Sequence, residues 1–202
     1  MKLFVMATAF AFAWYAQAST PRATIALETS SVRVYRTDAG VLTGVTPGAG
    51  VVVWLDDGPS GKAGRAIWME NAAAPPAEGA GTGRIAIVQP LAPDGPHATT
   101  PSGSKPGDAP FSRMTFHTLF ENTRVSVIRA RMDVGAREAF HTHASDTVVI
   151  HLSGGAIEDT ANGKTAVNRW RSGDVEFEAR GSSHSARNVS HPVDVVLVAL
   201  KP

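Results

Sequence analysis

Beyond the first twenty residues, apolar and polar positions either alternate with a period of two or gather in short blocks. No stretch of ordinary helix length carries a 3.6-residue period. Ser31 to Arg36 alternates. Gly50 to Asp56 (GVVVWLD) is a continuous apolar run closed by the turn pair Asp57-Gly58, and Arg65 to Met69 and Gly83 to Val88 are further short runs. In the second half, Thr123 to Met132 puts Val125, Val127, Arg129 and Arg131 on one side. Thr147 to Leu152 (TVVIHL) is an apolar strand followed by Ser153-Gly154-Gly155. Asn162-Gly163 is a hairpin-turn dipeptide, and Thr165 to Trp170, Asp174 to Phe177 and Val193 to Leu200 complete the set. Short strands punctuated by Gly-rich turns predict a mostly β protein, a sandwich or barrel.

One stretch breaks the pattern. Gln89 to Pro110 is rich in Pro, Gly, Ser and Thr, so it can bury little and pairs poorly as strand. It reads as a linker or long loop at 89–110, separating a β-rich region at 19–88 from a second domain at 111–202. GVVVWLDDG (Gly50 to Gly58) resembles TVVIHLSGG (Thr147 to Gly155) at matching points after an alternating strand. The halves are then either a degenerate repeat or unrelated strand sets, since short apolar runs match easily.

The first residues change the expected location. Met1-Lys2, an apolar run from Leu3 to Tyr15, and Ala16-Gln17-Ala18 form a signal peptide at 1–18, with Ser19 as the mature N-terminus. The run is shorter than the about 20 residues that span a bilayer, so a secreted or periplasmic protein without a membrane span is expected. The formal net charge of +1 loses the one charge of Lys2 and becomes zero. No Lys/Arg run suggests nucleic acid or a membrane surface. The chain has no cysteine, which excludes disulfides, thiolate ligands and thiol nucleophiles.

The chemistry concentrates between Gly135 and Asn188. His141-Thr142-His143 on an extended strand points two imidazoles to one face. Two neutral imidazoles there make half a metal site, and His184 can complete it from a distant strand. The spacing Gly135, His141, His143, Thr147, Gly154, followed by Gly173, Ala179, Gly181, His184, Asn188, resembles the two motifs of the cupin superfamily. All intervals of G-x5-H-x-H-x3-E-x6-G and G-x5-P-x-G-x2-H-x3-N are kept. The resemblance covers roughly Phe120 to Leu200. It implies a jelly-roll barrel holding one divalent metal ion on His141, His143 and His184, with Zn, Fe, Mn and Ni undistinguished. It also implies a small-molecule ligand or substrate, and a homodimer paired through strand edges unless the first half covers that edge.

Two motif positions depart. Thr147 stands where the family has a Glu that commonly ligates the metal, and Ala179 stands for a Pro. A hydroxyl is a poor ligand for a divalent ion, so Asp146 or water would have to replace the carboxylate. One step along a strand turns Asp146 to the opposite face. Thr147, Val149 and His151 share a face, where His151 is either an acid/base group or a buried neutral His bonded to a neighbour. Arg129 and Arg131 fit a solvated strand face better than an anion site. Trp54 and Trp68 read as core, Trp170 as packing, and His97, His117 and His191 as surface or loop residues. Three functions are consistent with the pattern: a metal-dependent enzyme of dioxygenase or isomerase type, a binding module without turnover, and a metal-free structural barrel.

Overall fold

The computed structural model describes residues 22–59, 61–74, 83–91 and 111–201. The signal segment, His97 and most of the linker lie outside these residues. Among the described residues every regular element is a strand: β1 (Thr24–Glu28), β2 (Val32–Asp38), β3 (Gly50–Trp54), β4 (Ala66–Met69), β5 (Arg84–Pro90), β6 (Ser112–Glu121), β7 (Val125–Thr142), β8 (Thr147–His151), β9 (Gly155–Ala161), β10 (Lys164–Trp170), β11 (Val175–Glu178), β12 (Ser183–Asn188) and β13 (Val193–Leu200). No described helix is long and apolar enough to cross a membrane.

The second half is one antiparallel sheet curled on itself, in the order β10-β9-β12-β7-β13-β8-β11, with β6 also on β7. Strand β7 serves both walls. Its start pairs with β13 from Val125↔Leu200 to Met132↔Val193, and its end pairs with β12 from Arg137↔Arg187 to Thr142↔Ser183. Between the two lies Gly135 with φ of 73°, a left-handed conformation that a residue with a Cβ adopts only at a cost. The hairpin at Asn162-Gly163 has φ of 53° and 71°, as a two-residue I′ turn requires.

Asn188 locks the far corner. Its amide donates to the carbonyls of Met132, Asp133 and His191, and its Oδ1 accepts from the Ser190 N–H. The side chain is buried, so its loss strands several backbone groups. Asn188→Ala is expected to lower stability by about 3 kcal/mol, read as a shifted urea midpoint at unchanged slope.

The first half forms a five-stranded antiparallel sheet in the order β1-β2-β5-β3-β4. That is the strand order of the barrel wall β6-β7-β13-β8-β11, and the register matches too. Val88 pairs with Val34 on one side and Val51 on the other, and Val198 pairs with Val127 and Val148 in the same way. Because strand side chains alternate, each wall has two distinct faces. Val32, Val34, Val51, Val53 and Val88 pack face to face against Val125, Val127, Val148, Ile150, Val196 and Val198 in one core. The opposite face of the first sheet carries Tyr35, Val52, Trp54, Ile85 and Ile87, packed under the segments holding Ala39, Val45 and Ala72.

The strand before the linker runs two residues further than its composition suggests. Gln89 and Pro90 belong to β5 rather than to the linker: Gln89 is buried and its amide donates to the Thr46 carbonyl. The largest core is made jointly by residues of both halves.

Candidate metal centre

His141 near the end of β7 is the direct cross-strand partner of His184 on β12, so both rings project to the same side. His143 follows two residues later, just past the strand end, tied by hydrogen bonds from its N–H to the Ser182 carbonyl and from the Gly181 N–H to its carbonyl. The three ring centroids lie 4.7, 4.8 and 5.0 Å apart. One nitrogen from each comes within 4.8 Å of the others. The three residues singled out from the sequence are thus brought together inside the barrel.

A β-bulge sets the facing. On β12, His184 and Ala186 are two residues apart, yet their partners His141 and Glu138 on β7 are three apart. The extra residue shifts the alternation, so Glu138 and His141 both face inward. Period two alone would place them on opposite faces.

The tautomers follow from the second hydrogen bonds. His141 Nδ1 donates to the Ala139 carbonyl at 2.9 Å, and His184 Nδ1 donates to Asp159 Oδ1 at 2.9 Å. Each leaves Nε2 as a lone-pair donor. His143 Nε2 is 3.1 Å from His184 Nε2. Ligand atoms about 3–3.4 Å apart are what metal–nitrogen bonds of about 2.1 Å produce. Burial first, and then His141 and His184, lower the His143 pKa to about 4, so at neutral pH it is an uncharged imidazole able to coordinate. The residues fit a divalent ion.

Four carboxylates outside the sequence motifs, Glu138, Asp159, Glu176 and Glu178, line the same cavity. Glu138 Oε1 is 3.7 Å from His141 Nε2. Glu178 Oε2 is 3.5 Å from His143 Nδ1, and its Oε1 is 3.8 Å from His184 Nε2. Burial, reinforced by Glu138, Glu176 and Asp159, pushes the Glu178 carboxyl up to about 8. Burial also raises Glu138, against the pull of His184 and His141. A signal was available: Val175-Glu176-Phe177-Glu178 alternates, so both Glu share one face while Val175 and Phe177 pack on the shared core.

Asp146 is no replacement ligand. It accepts from Ser31 Oγ at 2.6 Å and from the Arg180 N–H at 2.7 Å, outside the barrel. Thr147 is also engaged elsewhere, its hydroxyl donating to the Ser145 carbonyl.

The cavity is about 450 Å³ and is otherwise mostly apolar, with Met114, Phe116, Ile128, Met132 and Leu197 among its walls. His151 lines it deep inside, 1% exposed and stacked on Trp170 at 4.6 Å. Its Nε2 is 3.7 Å from Glu176 Oε2, and neither ring nitrogen has a hydrogen-bond partner among the described residues. Of the two readings of this residue, burial is observed, with Trp170 stacked on the ring and Glu176 as the nearest acid. Arg129 pairs with Asp194 at 2.6 Å and Arg131 with Asp133, and neither lines the cavity. His117 and His191 are exposed, Trp54 is in the core of the first sheet and Trp68 packs on the shared one.

An antiparallel barrel of this strand order, with His141 on β7 and His143 just past its end, His184 on the paired strand, and glycine corners between strands, has the architecture of a cupin-type jelly roll. No protein-family model and no curated protein matches the sequence. Among solved structures, the chain is similar to a cupin domain from Bordetella pertussis Tohama I, at 20% identity over 46% of this chain and 99% of that one, with a TM-score of 0.43. It is also similar to the polyketide cyclase RemF from Streptomyces resistomycificus (17% identity, 48% of this chain, 70% of that one, TM-score 0.40). KdgF from Halomonas sp. is a third (16% identity, 45% and 80%, TM-score 0.38).

Proposed function

We propose that this chain is an exported cupin that holds one divalent metal ion on His141, His143 and His184 and acts on a small, largely apolar molecule bound beside it. The observation that carries this reading is the joining of the histidine cluster to a mostly apolar cavity of about 450 Å³, a volume suited to a small organic ligand. A bound divalent ion would supply Lewis acidity toward a substrate oxygen. The protein's own residues do the rest. Asp159 orients His184, Ala139 orients His141, and the apolar walls exclude water and position the ligand. His151, without a hydrogen-bond partner among the described residues, lines the same cavity and is placed to accept or donate a proton at a polar group of the ligand.

The test is elemental analysis of the purified protein beside a His143→Ala variant. About one equivalent of metal is expected in the parent and a small fraction of that in the variant. No metal in either would end the reading. Oxygen uptake and product formation across a panel of phenols and small acids then separate an enzyme from a binding module. The binding module is the second reading, favoured by Thr147 at the carboxylate position.

A further inference from the structure

We infer that Glu178 is a fourth protein ligand of this centre, its carboxylate delivered from β11 across the strand pair from Thr147. The inference rests on the three-histidine reading above and adds a residue to it.

Glu178 is the direct cross-strand partner of Thr147 in the antiparallel β8–β11 pair. Side chains of directly opposed residues stand on the same face with Cβ atoms about 4.5–5.5 Å apart. A carboxylate on either residue therefore reaches the same region of the barrel interior. The observed position agrees: one oxygen of Glu178 faces His143 and the other faces His184. Among the described residues its ion-pair partners are these imidazoles and no Lys or Arg, so no guanidinium or ammonium competes for it.

The neighbouring carboxylates sit differently. Glu138 comes within 4 Å of His141 alone, although His184 also acts on it electrostatically, Glu176 approaches His151 away from the cluster, and Asp159 is taken up by His184 Nδ1. Glu178 alone of the four has oxygens within 4 Å of two of the three imidazoles. An anionic oxygen here offsets one of the ion's two charges and adds a hard donor to three borderline ones, which favours Mn(II) and Fe(II) more than Zn(II).

The experiment is a titration of the full-length mature protein with Mn(II), reading free ion by its electron paramagnetic resonance signal, beside a Zn(II) competition with a chromophoric chelator. Glu178→Gln is expected to weaken Mn(II) at least tenfold and Zn(II) by less. Glu138→Gln and Glu176→Gln are expected to change Mn(II) affinity less than threefold. Melting of each variant in chelator confirms that it folds. The decisive variant exchanges the pair, Thr147→Glu with Glu178→Thr, and is expected to recover most of the parent's Mn(II) affinity. If the parent binds Mn(II) and Glu178→Gln binds it equally well, Glu178 is not a ligand and the histidine centre stands. If Glu138→Gln carries the loss instead, the carboxylate comes from β7. A parent that takes up neither ion overturns the three-histidine reading and this inference together.

Discussion

In the presence of chelator at pH 9, the Glu178→Gln variant is expected to unfold at a clearly higher temperature than the parent chain. Burial lifts the folded-state pKa of Glu178 to about 8, whereas an unfolded chain ionises Glu near 4.5. Between those values the unfolded state has released a proton that the folded state still holds, so stability falls as pH rises through the window. Below about 4.5 both states are protonated and the penalty vanishes; above about 8 it is fully present. A shift of this size corresponds to up to about 5 kcal/mol, and an uncharged amide avoids it. The difference between variant and parent should therefore grow from near zero at pH 4.5 to its full value at pH 9. His143 contributes with the opposite slope, because its lowered pKa costs stability as pH falls from about 6.5 to 4. That contribution is common to both proteins and cancels in the comparison. A flat difference across the range would show that Glu178 is not confined as described.

Removing the first sheet is expected to have the larger effect. A chain beginning at Phe111 keeps the barrel strands but uncovers Val125, Val127, Val148, Ile150, Leu152, Val196, Val198 and Leu200, which now pack on the other half. Burying one such side chain is worth about 1.5–3 kcal/mol. Together they exceed the about 5–15 kcal/mol that holds a typical domain folded. The truncated chain should aggregate, or pair through this face with a second copy. The intact chain, whose first sheet already covers the face, should sediment as a monomer. A soluble, monomeric truncation with a sharp thermal transition would contradict the shared core.

The three imidazoles were legible because His-x-His on a strand puts two of them on one face and the intervals to His184 match the motifs the sequence resembles, whose glycines Gly135, Gly154, Gly173 and Gly181 all take left-handed backbone at the corners. The carboxylates were less so. Glu138 faces inward only because of the bulge in β7, which leaves no mark in the residue pattern. Glu178 was readable from the alternation of β11, but its position opposite Thr147 depends on strand pairing between segments separated by two other strands. The shared core illustrates a different limit. The continuous run in β3 announced burial on both faces, as a covered strand does. What covers each face is a property of the tertiary arrangement: on one side the barrel wall, on the other Ala39, Val45 and Ala72.

The asymmetric backing of the barrel has a mechanical result. The wall holding β8, β11 and β13 is braced from behind by a second sheet, whereas β10 at the opposite margin is largely open to solvent along its length. His184 and Asp159 ride on the unbraced side and Glu178 on the braced one. Breathing of the unbraced wall therefore changes the separation between imidazole and carboxylate, and backbone amides of β9 and β10 should exchange with deuterated solvent well before those of β8 and β13. A molecule entering the cavity would meet one stiff jaw and one that yields.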